Sequence, residues 1–197
     1  KEKSDLDLGR LSNATLGELL SFSSGKSIKP GGAGEFPVYG SNGLIGKTDE
    51  PIYENIIVIG RVGAYCGSVT LAEGLSWASD NTIVCAPIEE GLGELHYLYY
   101  LLKTINLRNY AGGSAQPLLT QNVLKPLEVS ILVAKERKIV AQVLKTFDNL
   151  IENNRRRIEI LEETARLLYR EWFVEFRYPG HEDVPLVDSE LGPIPEG

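Results

Sequence analysis

The 197-residue sequence has no methionine and only two cysteines, two histidines and two tryptophans, and each scarcity removes a class of chemistry. Cys66 and Cys85 form no CxxC, and His96 and His181 lie far from both, so the ligand spacing of a zinc site is missing and no metal is expected. Two free, partly buried thiols in a reducing cytoplasm are the expectation, with a disulfide or a ligand pair as the alternatives. So few histidines assemble no credible Ser-His-Asp or Cys-His arrangement, and "WASDN" (Trp77 to Asn81) reads as the turn into a strand rather than an acid–base pair. No basic stretch leads into an apolar run of signal-peptide length, and no run is long enough to span a bilayer, so neither secretion nor a membrane partner is expected.

Positive charge is also short. Lys and Arg number 20 against 27 Asp and Glu, a net charge of -7 spread over both halves of the chain. Such a balance is not the footprint of a strong nucleic-acid binder. If this chain meets DNA, weak binding alone is expected, with a basic partner supplying most of the phosphate neutralisation.

What is present is a chain 43% apolar, able to bury one substantial core plus an appendage. Residues 1–134 read as short apolar runs broken by glycine. "ATLGELL" offers Thr15 as N-cap with Glu18 three residues on, a capping box. "EFPVYGSNGLIGKT" reads as two strands around Ser41-Asn42-Gly43, because Asn-Gly supplies the positive φ of a tight hairpin. Ile56 to Ile59 make a fully buried strand followed by a glycine-broken one, and "NTIVCAP" (Asn81 to Pro87) makes another. An amphipathic helix is expected over Glu94 to Ile105, and a short helical turn from Thr120. The mixture predicts an α+β fold: a globular domain with an irregular, curved sheet, followed by a long coiled-coil helix.

The helix begins where the period changes, over residues 135–176. Val140, Leu144, Phe147, Ile151, Asn154, Ile158, Leu161, Ala165, Leu168 and Trp172 step by 4 and 3 without a slip, a coiled-coil seam with a narrow apolar stripe. The seam must be buried against its own domain, a second helix of the same chain or another copy. Asn154 falls near its middle, where an antiparallel pair of identical helices would bring two asparagine amides together; exposure at a bend is the other reading. Arg155 to Arg157 read as a solvated flank, or as a contact with DNA or an acidic partner face.

Two stretches imitate catalytic loops without completing them. "GRVGAYCG" (Gly60 to Gly67) lacks both the GxGxxG spacing and the GK[ST] ending. "DEPIY" (Asp49 to Tyr53) resembles the Asp-Pro-Pro-Tyr loop of adenine methyltransferases, but has one proline and no glycine-rich cofactor loop before it. No cofactor is expected on this chain. What remains are polar groups able to read base edges or meet phosphates: Lys26, Lys29, Asn42, Arg61, Tyr65, Asn81, Arg108, Ser114, Gln116 and Lys125, with Asn106, Asn109 and Gln121 beside them. The loop "GSAQPLLTQNVLKPLEV" (Gly113 to Val129) ends the globular region, and either presents Ser114 and Gln116 to DNA or packs the domain onto its helix.

The order of "ATLGELLSFSSGKSI", "FPVYGSNGLIG", "IVIGRVGAYCGSV", "WASDNTIVCAP", "GGSAQPLLTQNVLKPLEV", the long helix and "ELGPIPEG" resembles the specificity subunits of Type I restriction-modification systems. The resemblance implies a target recognition domain over residues 1–134, a conserved helix over 135–176 and a tail, 177–197, that leads to or substitutes for a second repeat. It also implies reading one half of a bipartite target in double-stranded DNA. Catalysis belongs to partners: modification subunits with S-adenosylmethionine, docked on the helix, and a translocating restriction subunit using ATP and Mg. Such subunits have two recognition domains and two helices, whereas this sequence has one of each. It is therefore a natural half-subunit that forms a homodimer through antiparallel helices, or a piece of a longer chain. The seam rises about 48 Å at 1.5 Å per residue, the length of roughly 14 base pairs of duplex. A second reading of the residues is a coiled-coil interaction protein whose globular domain binds protein or sugar, which the acidic charge favours and which salt-insensitive binding would mark.

Overall fold

The computed structural model describes residues 11–28, 34–89, 91–113, 116–190 and 192–196. The chain divides into two compact units, Lys1–Lys145 and Thr146–Gly197.

In the first unit, β1 (Ser12–Thr15) runs into the single-turn helix α1 (Leu16–Leu19) and then β2 (Leu20–Ser24). The expected capping box is present: Thr15 N–H donates to Glu18 Oε2 at 2.6 Å, and the pairing holds the Glu18 carboxyl below its usual range. The strands β3 (Phe36–Gly40) and β4 (Gly43–Thr48) form the predicted hairpin, with Gly43 at φ 83°. Then come β5 (Tyr53–Gly60), β6 (Val69–Ala78) and β7 (Thr82–Pro87). The helix α2 spans Leu92–Thr104, beginning two residues before the sequence reading, and the expected short helical turn follows as α3 (Gln121–Leu124), with Thr120 just before it. A last strand, β8 (Glu128–Ile131), pairs antiparallel with β1.

Six strands form one sheet in the order β2-β7-β5-β6-β3-β4. All neighbours are antiparallel except β3 and β6, whose Val38–Trp77 and Tyr39–Ala78 pairs are parallel. The apolar run in β5 is buried on both faces, and its alternation divides the core. Ile57 and Ile59 join Ile83, Cys85 and the α2 residues Leu95, Leu98 and Leu102, while Ile56 and Val58 join Ala72, Ala78 and Val84 on the other side. Both cysteines are buried as free thiols, and burial pushes the Cys85 thiol up.

The sheet coils sharply. Strands β6 and β7 flank β5 on opposite sides and are both antiparallel to it, yet only residues 79–81 join them. That connection closes because β6 bends at a bulge. Asn55 adopts φ 53°, a left-handed conformation that asparagine tolerates, and its Oδ1 accepts the Gly74 N–H at 2.9 Å. Beyond the bulge the end of β6 turns toward β3, where Ser79 N–H donates to the Tyr39 carbonyl at 2.8 Å.

The long helix α4 runs Ala134–Tyr169, and its first turns, to Lys145, belong to the first unit. Ala141 is buried and Val140 packs against the core. Arg137 is buried as well. Its Nη1 donates to Glu94 Oε1 at 2.7 Å and its Nη2 to the more exposed Glu89 at 3.1 Å, fastening α4 to α2. Burial raises the Glu94 carboxyl even with Arg137 beside it. Lys145 reaches Glu73 of β6 at 2.6 Å, and His96 lies 3.1 Å from the same oxygen.

In the second unit the rest of α4 ends in a π-helical turn, Arg170–Val174. Arg177 closes this end with two 2.7 Å bonds to Glu171, and Phe176 takes φ 55° to reverse the chain. The strands β9 (Leu186–Ser189) and β10 (Gly192–Pro195) form a hairpin over the tail. Among the described residues no helix is long and apolar enough to cross a membrane.

Two outcomes are expected from these ion pairs. Arg137→Ala leaves Glu94 buried without its cation and should lower the unfolding free energy by about 3 kcal/mol or more in urea titrations. Glu73 is affected first by burial, which alone would raise it, but the Lys145 hydrogen bond and the charges of His96 and Lys145 hold its carboxyl below the ordinary 4.5. A carboxyl depressed on folding stabilises above its unfolded pKa and loses that contribution as pH falls through its lower folded value. Thermal melting between pH 6 and pH 3 should therefore show a smaller acid-induced drop for Glu73→Gln than for the parent chain.

Candidate functional site

Arg61, the residue that follows β5, is the centre of a knot of hydrogen bonds. Arg61 N–H donates to the Asn81 carbonyl at 2.9 Å, and the Arg61 carbonyl accepts Leu119 N–H at 2.9 Å and the Cys66 thiol at 3.2 Å. The Asn81 carbonyl also accepts the Ser41 hydroxyl at 2.6 Å, and the Ser41 carbonyl accepts the Ser68 hydroxyl at 2.6 Å. Four separate connections thus meet around one strand end: the β3–β4 turn, the β5–β6 loop, residues 79–81, and the segment leading into α3. The bonds use backbone groups and small hydroxyls, which leaves the longer polar side chains of these loops uncommitted.

The β5–β6 loop is itself braced. Its short helical turn, Gly63–Tyr65, is held by Arg108, whose Nη1 donates to the Ala64 carbonyl at 3.0 Å. At Gly67, φ 85°, an added Cβ would come within 2.6 Å of the Arg108 backbone nitrogen, so only glycine fits there. Burial raises the Cys66 thiol, outweighing its backbone hydrogen bond and the charge of Arg108, so it packs rather than reacts.

Two hollows open beside the knot. One, of about 350 Å³, is lined by Asn42, Ile45, Tyr65 and Asn81, with the Tyr65 ring 53% exposed. The other, of about 220 Å³, is lined by Ser24, Arg61, Ile83, Thr120, Gln121 and Asn122. In it Gln121 Nε2 donates to the Ser24 hydroxyl at 3.2 Å, while the half-buried Arg61 side chain has no acceptor among the described residues.

The structure therefore gathers Asn42, Arg61, Tyr65 and Asn81, taken from the sequence as readers, around one strand end. Gln116 borders them, because Leu118 bridges both Gly112 and Val62. Lys26 is next to the end of β6, its N–H donating to the Ala78 carbonyl at 2.9 Å and its carbonyl accepting Trp77 Nε1 at 2.9 Å. Lys125 lies a turn beyond Gln121, where its carbonyl accepts the Gly17 N–H at 2.9 Å. Arg108 spends one guanidinium nitrogen as the loop's brace, a role its loop position did not disclose. Lys29 and Ser114 lie outside the described residues. Asn122 and Ser24, not singled out from the sequence, complete the second hollow; the only available signal was that Asn122 follows Gln121.

On the helix, Leu144 is 37%, Phe147 58% and Leu161 66% exposed, and Asn154 is exposed with them. Val140 is covered by its own domain, and Trp172 lies in the π-helical turn, where the α-helical spacing stops. The apolar surface is broader than the expected narrow stripe. Val143 and Leu150 flank the seam, and Ile160 and Leu167 extend it further around, all at least half exposed. The seam was read from the first and fourth heptad positions alone, which hid these flanks.

Comparison with known proteins places this geometry in context. A family model described as "Type I restriction modification DNA specificity domain" matches residues 12–163. The chain is 38% identical over 105 residues to the Type I restriction enzyme MjaIX specificity subunit of Methanocaldococcus jannaschii, covering 51% of this chain and 24% of that one. It is 29% identical over 144 residues to the Type I restriction enzyme EcoprrI specificity subunit of Escherichia coli, covering 69% and 35%. The crystal structure of a Type-I restriction-modification system S subunit from M. genitalium superposes with a TM-score of 0.75 at 22% identity, over 85% of this chain and 47% of that one. The chain thus spans about a quarter to a third of these curated relatives and about half of that solved subunit.

Proposed function

We propose, from the premise that this chain belongs to the Type I restriction-modification DNA specificity domain family, that its first unit reads one half of a bipartite DNA target. The observation that carries this reading is the convergence of Asn42, Arg61, Tyr65, Asn81 and Gln121, from four connections, around the end of β5. Asparagine and glutamine amides match the adenine edge in the major groove, and guanidinium matches that of guanine. Because the knot is made of backbone bonds, these side chains start from fixed Cα positions, and little backbone ordering entropy is lost on binding.

The chain itself is non-catalytic in this reading. S-adenosylmethionine, ATP and Mg belong to partner subunits. The exposed apolar surface of α4 pairs antiparallel with the same helix of a second copy, or with an equivalent helix in a longer chain. Its flanks around Leu150 and Leu167 offer a place for modification subunits, and a restriction subunit completes the assembly. A homodimer reads an interrupted palindrome, because a two-fold axis makes the half-sites inverted copies. The net charge of -7 requires that the partners supply most of the phosphate contacts.

Mixed with Type I modification subunits, the chain is expected to direct methylation to one bipartite sequence, read by sequencing methylated plasmid DNA. Methylation without sequence preference would refute the reading. Phe147→Asp and Leu161→Asp should abolish helix pairing in sedimentation velocity, and seam variants that stay paired would show that another surface joins the copies.

A further inference from the structure

We infer that Arg61, in the hollow it shares with Ser24, Gln121 and Asn122, is the residue that specifies a guanine in the half-site. The inference rests on the DNA-reading function proposed above and names one base class and one reader within it.

The first observation is the state of the guanidinium. In the first unit Arg137 is ion-paired through both terminal nitrogens with Glu94 and Glu89, and Arg108 is bound to the Ala64 carbonyl. Arg61 is the one described arginine of that unit whose guanidinium has no acceptor among the described residues. In a chain with 27 acidic residues this is a notable vacancy, and Asp80, in the neighbouring turn, forms no ion pair with it. Five N–H donors in a rigid fork are left for something outside the chain.

The second observation is position. Both backbone groups of Arg61 are fixed, the N–H by Asn81 and the carbonyl by Leu119 and Cys66, so the side chain starts from a stationary Cα at the end of the most buried strand. A phosphate contact needs only a charge within reach and is well served by a mobile surface lysine. A base edge demands registration to within a fraction of an ångström, which a fixed backbone provides.

The third observation is the company Arg61 keeps. Ser24, Thr120, Gln121 and Asn122 line the same hollow with hydroxyls and amides and, among the described residues, no carboxylate, so a base edge would meet further donors and acceptors beside the guanidinium. The pair of acceptors that the fork matches is O6 and N7 of guanine.

The test uses the full chain assembled with Type I modification subunits. A randomised duplex pool first gives the target selected by the parent complex, and binding is then measured by fluorescence anisotropy on that duplex and its single-base variants. Arg61→Ala and Arg61→Lys should each lose discrimination at one G·C pair, by roughly 5- to 140-fold, while preserving it at every other position. Replacing that guanine with 7-deazaguanine should weaken the parent complex and leave Arg61→Ala unaffected. Circular dichroism melting of both variants checks the fold, and Arg61→Lys, which keeps the charge and most of the side-chain length, carries the comparison if Arg61→Ala does not fold. A uniform loss on all duplexes with a shallower salt dependence would assign Arg61 to phosphate and overturn the proposal, as would unchanged discrimination. A parent complex that selects no sequence would defeat the DNA-reading function itself, and this assignment with it.

Discussion

The rim around the end of β5 depends on one carbonyl. The Asn81 oxygen accepts from Arg61 N–H and from the Ser41 hydroxyl, and through Ser41 and Ser68 it ties three loops to the end of β5. A buried strand end would otherwise carry unpaired backbone groups, a cost comparable to a lost hydrogen bond for each. Here neighbouring loops satisfy those groups, and the same bonds convert flexible connections into a fixed rim. The coil of the sheet is what makes the knot possible, because it returns the end of β6 to the start of β7 across residues 79–81. The bulge at Asn55 and Gly74 is thus connected to this rim without lying on it.

This arrangement reconciles an acidic chain with DNA recognition. Affinity for duplex comes mostly from phosphate neutralisation, which scales with the count of cations, whereas specificity comes from a few well-placed groups at base edges. In the proposed reading a chain with 20 basic and 27 acidic residues performs the second task and leaves the first to its partners. Its acidity also makes the arginine inventory legible. Most described arginines outside the Arg155–Arg157 run are consumed by internal partners, as in the Arg137–Glu94 pair that fastens α4 to the domain and the Arg177–Glu171 pair that closes its end.

Much of the fold was legible because it is local. The capping box at Thr15, the Asn-Gly hairpin, the buried run in β5 and the long seam each follow from a pattern within a few residues or a single period. The sheet order was not legible, since the parallel pairing of β3 with β6 and the placing of β5 between β6 and β7 depend on contacts distant in sequence. For the same reason the loop residues Asn42, Arg61, Tyr65 and Asn81 could be named from composition, but not their convergence. Arg108 is the instructive case: a loop arginine has the same appearance in sequence whether it faces solvent or braces a neighbouring turn. The π-helical turn at Arg170–Val174 was invisible because the apolar period continues through Trp172 while the backbone does not.

In the proposed reading DNA lies on the rim around β5. Hydrogen–deuterium exchange of the assembled complex, with and without its selected duplex, tests this most directly. The account predicts new protection concentrated at residues 41–42, 61–67, 79–81 and 119–122. Protection that spares all four segments while the duplex is bound elsewhere on the first unit would contradict it.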